Sequence, residues 1–487
     1  MDEQQERRGE LETGSGAAEP HPDAHLDAHP GSYREPYLEI QGGRTLSGEV
    51  TLLGAKNAAL PALVAACLSD EETVLYDVPT ELNDVRLLAE LLRSLGAEVS
   101  EAGPHTLRCR GRGWRAATLD GDKAGSLRHS LLLLGGAAHR HLPLTLPLPG
   151  GCKLGERKHD FHVAALSALG FAVTDNPEGL GVAAGGTAQG TAQGAAQGAT
   201  RADARVSFGY PSFGATLNAL FAATGLPAVT LIENAARNPE VEDVTMMLNK
   251  MGAQISWADA RTLRVVGGTP LRGTEHRVMG DRIVASTLIA VTAVTRGETF
   301  IRNASLRVLR AEAEVWRGAG LELTDDEGGI RVGAGGRLGA TTVTTRAYPG
   351  FHTDVQPLHA AMMVLADGRS EIRETILDGR FRYAAELAKF GAAVAVLPGG
   401  FRCVNGEPGQ VLQLDGVAAL HGAEVRATDI RGGAAVVVAA LAAEGVSRVA
   451  NLYQLERGYS DLAGLLTPLG AAVRRLEGTA TPHAARP

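Results

Sequence analysis

In the stretch Pro149-Gly150-Gly151-Cys152-Lys153-Leu154-Gly155-Glu156-Arg157-Lys158-His159-Asp160-Phe161-His162, a thiol sits among glycines and is followed by a run of ionisable side chains. Nearby cations favour thiolate over thiol, and thiolate is the form that reacts. The glycines free the backbone for a tight or mobile loop. Cys152 is therefore the first candidate for chemistry, set against the plainer reading of an exposed loop cysteine.

Other polar residues interrupt small or apolar surroundings at loop–helix junctions. Lys56 and Asn57 follow a strand and open a helix, where an ammonium meets an anion alongside free backbone N–H groups. Arg128 precedes the apolar run Ser130 to Leu134. Tyr210-Pro211-Ser212-Phe213 enters a helix with hydroxyl and backbone donors, and Asp354 precedes the helix that carries Met362 and Met363. Arg380 sits in the turn Asp378-Gly379-Arg380-Phe381, Asp429 and Arg431 start another helix, and Arg457 stands in Leu455-Glu456-Arg457-Gly458-Tyr459. Each alone fits an ordinary cap or surface ion pair. Together, so many cations at loop–helix junctions suit a pocket for several anionic groups, phosphate plus carboxylate. Gly54-Ala55-Lys56 lacks P-loop spacing, and no dinucleotide-binding glycine fingerprint follows a strand.

The elements that must position these residues repeat. A helical stretch ending in Gly, then a short apolar strand, recurs at Gly96, Gly170, Gly252, Gly320, Gly391 and Gly470, with intervals of 74, 82, 68, 71 and 79 residues. Glycine takes the left-handed conformation that closes a helix, and the next residues alternate into a strand. A strand leading into a helix accompanies each turn: 48–53, 142–148, 228–233, 298–302, 371–377 and 447–450. The spacing predicts an α/β chain of six copies of one unit, too long for solenoid repeats of about 20–45 residues. Two lobes of three units fit the length: one split between 37–57 and 268–477, the other over 58–267. The N-terminal segment completes the C-terminal lobe.

The 487 residues are 44% hydrophobic and only 4% aromatic, so the cores are built from Ala, Val and Leu. A net charge of −8 supplies no global basic field, which argues against nucleic acid as the main partner. Cys67, Cys109, Cys152 and Cys403 are far apart, with no CxxC, which is neither a disulfide framework nor a zinc pattern and fits a reducing cytoplasm. No apolar run is long enough to span a bilayer, so no membrane partner is expected. Residues 1–36, which carry His21, His25 and His29, and 478–487 read as loose polar tails. A low-complexity insertion is expected near 176–204, where Thr-Ala-Gln-Gly repeats.

In these blocks the chain resembles the UDP-N-acetylglucosamine 1-carboxyvinyltransferase family of enolpyruvyl transferases. The resemblance runs from about Tyr37 to Glu477. It rests on Gly54-Ala55-Lys56-Asn57-Ala58-Ala59-Leu60-Pro61, on Leu148 to Arg157 around Cys152, and on Glu233-Asn234-Ala235-Ala236-Arg237-Asn238-Pro239-Glu240. Thr353-Asp354-Val355-Gln356, Ala427-Thr428-Asp429-Ile430-Arg431 and Arg457-Gly458-Tyr459 complete it. It implies two inside-out α/β barrel lobes with the active site in the interlobe cleft, and small-molecule substrates, phosphoenolpyruvate and a UDP-sugar. It implies no metal and no organic cofactor. A monomer is compatible with it.

The resemblance also implies roles. Lys56, Arg157 and Arg457 neutralise phosphoenolpyruvate, with Asn57 supplying hydrogen bonds. Cys152 is the acid at C3 of the enol, and Asp354 takes the proton of the sugar hydroxyl. The nucleotide lies along Arg157, Lys158, His159, Asp160 and Phe161, along Tyr210, Pro211, Ser212 and Phe213, and beside Ile376, with Arg128 on a phosphate or the sugar. Arg380, Asp429 and Arg431 join the binding set. Four positions depart from the family pattern: Lys158 and His352 where Pro is usual, Asn238 for Glu, and Leu358 for Gln. They keep open a paralogue with another nucleotide sugar and a non-catalytic nucleotide-sugar-binding regulator. Transfer to shikimate 3-phosphate fits less well, because that sister family reads Asp-Lys-Ser where this chain has Ala55-Lys56-Asn57.

Overall fold

The structure, a computed structural model, describes residues 35–119, 121–148, 159–183 and 203–478. Cys152, Arg157 and Lys158 lie outside the described residues, as do the His-containing tail and the Thr-Ala-Gln-Gly repeats.

All six glycines of the repeated phrase take the left-handed conformation, with φ from 83° at Gly170 to 102° at Gly252. Each turn feeds an edge strand: Glu98–Glu101, Ala172–Asn176, Gln254–Trp257, Glu322–Asp326, Ala393–Arg402 and Ala472–Leu476. The result is six four-stranded sheets of one design, each a parallel pair extended by two antiparallel strands. Tyr37–Gln41 is the third strand of the sheet otherwise built from Glu424–Arg426, Val446–Ala450 and Ala472–Leu476, so the start of the ordered chain completes the last unit.

Six helices form the insides: Lys56–Ala66, Leu132–His139, Phe213–Thr224, Arg282–Thr295, Gln356–Met363 and Ile430–Ala442. Their sequences are apolar all round, in the manner of fully buried helices, and most of their residues have no exposed surface. Small side chains let them pack closely. Helices such as Asn83–Ser94 and Arg310–Gly318 are amphipathic, with one face buried and the other exposed. Two apolar cores follow, one from Ala55 to Val278 and one from Leu38 to Leu52 together with Ile283 to Val473.

The chain crosses between the two cores twice, and the crossings touch. Gly54 and Gly280 pair as an isolated antiparallel bridge. A Cβ on Gly280 would stand 1.8 Å from the Asn303 carbonyl oxygen, and one on Gly54 would stand 2.4 Å from that of Asp77, so only glycine lets these backbones approach. The strand Glu275–Arg277 pairs with Thr73–Tyr76 and so packs with the residues before the crossing, although the sequence reading starts the other lobe at 268. The hairpin of Ala172–Asn176 and Gly179–Ala183 and the strand Ala204–Ser207 likewise occupy ends of the span read as an insertion. Among the described residues, no helix is long and apolar enough to cross a membrane.

Candidate active site

A cavity of about 640 Å³ lies between the two cores. It is lined by the starts of the inner helices: Lys56, Leu132, Phe213, Arg282 and Ile430 are first residues of five of them, and Asp354 lies just before the sixth. Helix N-termini carry partial positive charge and free N–H groups, so their convergence makes an anion-binding wall before any side chain is counted. The cavity gathers Lys56, Asn57, Arg128, Tyr210, Pro211, Ser212, Phe213, Asp354, Ile376, Arg380, Asp429, Arg431 and Arg457, all of them singled out from the sequence. His159, Asp160 and Phe161 are off its wall. His159 pairs with Asp175 at 2.9 Å, Phe161 packs edge-on against Phe208, and on that helix His162 reaches the cavity instead.

Lys56 is 5% exposed. Its Nζ donates to Asp84 Oδ2 at 3.0 Å and to the Arg457 carbonyl at 3.1 Å. Asp84 Oδ1 lies 3.5 Å from Arg457 Nε, so one carboxylate clasps two cations from opposite cores. Burial pushes the Lys56 pKa down; Asp84 opposes that, Arg431 and Arg457 add to it, and the net direction is down. Burial pushes Asp84 up, but Lys56 and Arg457 outweigh it and hold its pKa below the usual carboxylate value. The backbone N–H of Lys56 donates to Asp281 Oδ2 at 3.2 Å. The other oxygen of Asp281 caps the next helix, accepting from Ile283 and Val284 N–H at 2.9 and 3.1 Å. One carboxylate thus fixes helix starts from both cores.

Asp354 sits in a second cluster. Arg380 Nη2 donates to its Oδ1 at 2.9 Å, and Arg431 Nε lies 3.9 Å from Oδ2. Asp429 caps the helix Ile430–Ala442 through the N–H groups of Arg431 and Gly432, and also accepts from Arg380 Nη1 at 3.5 Å. Buried Glu374 supports the same wall: it accepts from the Thr353 hydroxyl at 2.9 Å and from the N–H groups of Ile376 and Leu377 at 2.8 and 3.1 Å. On the 210–213 side, Ser212 caps its helix through Ala215 N–H, and burial with Glu374 pushes the Tyr210 hydroxyl up to about 12, so it stays a neutral donor.

Several lining residues were not assigned to the site from the sequence. Besides Asp84 these include His129, Arg282, Arg346 and Tyr348, and also His162 and Glu240, which stand in the quoted motifs. Arg282 and Glu240 form a buried pair at 2.8 Å that joins the two cores. Burial opposes the charge on Arg282, but Glu240 and Glu312 outweigh it and raise its pKa. His162 is held neutral, with its pKa lowered to about 3 by burial first and then by Arg128 and His159; its Nδ1 meets Asn218 Nδ2 at 2.7 Å. Asp281-Arg282 did carry a usable signal, a charged pair opening an apolar helix, the same signal that marks Asp429 and Arg431. Of the departures from the family pattern, Asn238 and His352 line the cavity, whereas Leu358 is fully buried away from it. Among the described residues no three His, Cys, Asp or Glu side chains converge as a metal site.

Residues 40–466 match the family model of EPSP synthase (3-phosphoshikimate 1-carboxyvinyltransferase). Among similar curated proteins, UDP-N-acetylglucosamine 1-carboxyvinyltransferase of Finegoldia magna is 34% identical over 443 residues, 90% of this chain and 99% of that protein. The protein of the same name from Cereibacter sphaeroides is 37% identical over 444 residues, with coverage of 90% and 99%. Among solved structures, the enolpyruvyl transferase NikO from Streptomyces tendae superposes with a TM-score of 0.77 at 24% identity, covering 92% of this chain and all of that one. EPSP synthase from Acinetobacter baumannii gives 0.68 at 14% identity, covering 91% and 100%. These two likenesses speak for the fold, two-lobed α/β, while the sequence relatives speak for the family. The chain belongs to the UDP-N-acetylglucosamine 1-carboxyvinyltransferase family of enolpyruvyl transferases.

Proposed function

We propose that the protein transfers the enolpyruvyl group of phosphoenolpyruvate to the 3-hydroxyl of UDP-N-acetylglucosamine with release of phosphate, a step of peptidoglycan synthesis in the cytoplasm. One observation carries the reading: Lys56 from a helix start of one core and Arg457 from the other core reach the same cavity as an ion-paired carboxylate, Asp354. Cations and helix termini suit the phosphate and carboxylate of phosphoenolpyruvate, and the carboxylate suits the proton of an incoming hydroxyl.

The chemistry runs by addition and elimination. The sugar oxygen bonds to C2 of the enol while Asp354 takes the hydroxyl proton and Cys152 delivers a proton to C3, giving a tetrahedral ketal. Loss of a C3 proton and cleavage of the C2–O bond to phosphate then restore the double bond as an enolpyruvyl ether. Each proton transfer of this kind contributes roughly 10²–10⁴ in rate. Fixed cations that stabilise charge developing on carboxylate and phosphate contribute the larger share in a closed site. The nucleotide is assigned to the wall formed by Arg128, Tyr210 to Phe213 and Ile376. Arg380, Asp429 and Arg431 hold Asp354 and the bound substrates in place. No step calls on a metal or an organic cofactor.

A second reading, a diverged acceptor sugar, is favoured by Asn238 and His352, two departures that both line the cavity. Product analysis separates the two. Incubation with phosphoenolpyruvate and UDP-N-acetylglucosamine should yield a nucleotide sugar with new vinyl proton resonances. Their absence, with unchanged UDP-N-acetylglucosamine, would contradict the assignment.

A further inference from the structure

His352 lies on the cavity wall two residues before Asp354. Its ring is fixed on one edge, where Nδ1 accepts the Asp354 backbone N–H at 3.1 Å. Its own backbone N–H donates to Glu312 Oε1 at 2.8 Å. The ring is half-buried, and Arg282, Arg380 and Arg431 outweigh Asp354 beside it. Burial first and these cations next lower its pKa to about 3. With Nδ1 accepting, the single proton of the neutral ring sits on Nε2. No described residue accepts that N–H.

An uncharged N–H that keeps its proton across neutral pH is matched to an uncharged oxygen. Phosphate and carboxylate oxygens have better partners in the cavity, in Lys56, Arg128 and Arg457. The donor also sits beside the carboxylate to which the acceptor hydroxyl is assigned, so the oxygen it meets belongs to the sugar and not to the uridine. We propose that His352 Nε2–H donates to a hydroxyl or acetamido-carbonyl oxygen of the acceptor's sugar ring, which makes His352 a specificity-determining residue. This rests on the reading of the cavity as a nucleotide-sugar site.

The test compares UDP-N-acetylglucosamine with UDP, which lacks the sugar, by calorimetric binding to wild-type protein and to His352→Asn. An asparagine oxygen can still accept the N–H two residues on, as in an Asx turn, but its side chain is too short to present the donor. The expected result is about a five- to tenfold loss of affinity for UDP-N-acetylglucosamine, the scale of one hydrogen bond, with UDP affinity changed by less than about twofold. His352→Gln, whose amide N–H reaches further, should return UDP-N-acetylglucosamine affinity to within about twofold of wild type. UDP-glucose locates the oxygen: a loss with both sugars points to a ring hydroxyl, and a loss with UDP-N-acetylglucosamine alone points to the acetamido group. Unchanged UDP-N-acetylglucosamine binding in His352→Asn, or an equal loss for UDP, would overturn the assignment. So would failure of His352→Gln to recover affinity while UDP binding is intact. Wild-type protein that binds the UDP-sugar but releases no phosphate would contradict the proposed reaction, not this contact.

Discussion

Two clusters on the cavity wall hold charge in opposite ways. In the clasp, Asp84 is one carboxylate between two cations, Lys56 and Arg457. In the other cluster, Asp354 and Asp429 are matched by Arg380 and Arg431. An excess of fixed positive charge is an anion site, and its single carboxylate orients the cations without cancelling them. A matched set aims a carboxylate without leaving an excess of positive charge beside it. The contrast assigns phosphoenolpyruvate to the clasp and the acceptor hydroxyl to Asp354.

That contrast can be broken most directly at Asp354. Asp354→Asn should lower kcat by roughly 10²–10⁴ and change the KM for phosphoenolpyruvate only a few-fold. A fall in kcat of less than about tenfold would make the cluster a packing feature. Lys56→Met should lower kcat/KM for phosphoenolpyruvate by about 10²–10³, the scale of losing one preorganised charge donor, while UDP-sugar binding persists. Equal weakening of both substrates would remove the distinction between the clusters.

A smaller effect sharpens the clasp. Burial lowers the Lys56 pKa, and Asp84 opposes that. In Asp84→Asn burial acts with less opposition, so Lys56 loses its proton at lower pH. The alkaline limb of kcat/KM for phosphoenolpyruvate should therefore move to lower pH; an unmoved limb would mean that Asp84 does not govern Lys56. The depressed pKa of Asp84 itself has the opposite sign. It stabilises the fold above the unfolded value of about 3.9, and that contribution is lost as acid takes the pH down through the folded value.

Much of this arrangement is legible in the sequence, and the reason is local. Gly96, Gly170, Gly252, Gly320, Gly391 and Gly470 end helices because of their own backbone freedom, so the six-unit rhythm needs no tertiary information. Lys56, Arg128, Ser212, Asp429 and Arg431 stand out because they interrupt apolar helix starts. Asp84 does not, because it reads as the ordinary acidic residue in the first turn of the amphipathic helix Asn83–Ser94. Its role comes from Lys56 and Arg457, which are distant in sequence and meet it only when the two cores dock. The pairing of Glu240 with Arg282 is hidden for the same reason, although the charged pair Asp281-Arg282 at its apolar helix start is visible. His162 rather than Phe161 reaches the cavity because of helix phase, which a loop reading of 149–162 leaves undetermined. His352 is visible as a departure, but its free ring edge shows only once Asp354 N–H is seen on the other nitrogen.

The central claim, that this cavity joins phosphoenolpyruvate to a UDP-sugar, is tested most directly by phosphate release from phosphoenolpyruvate with UDP-N-acetylglucosamine, with shikimate 3-phosphate, or with no acceptor. Release is expected with UDP-N-acetylglucosamine alone. Release with shikimate 3-phosphate alone, or with no acceptor present at all, would contradict it.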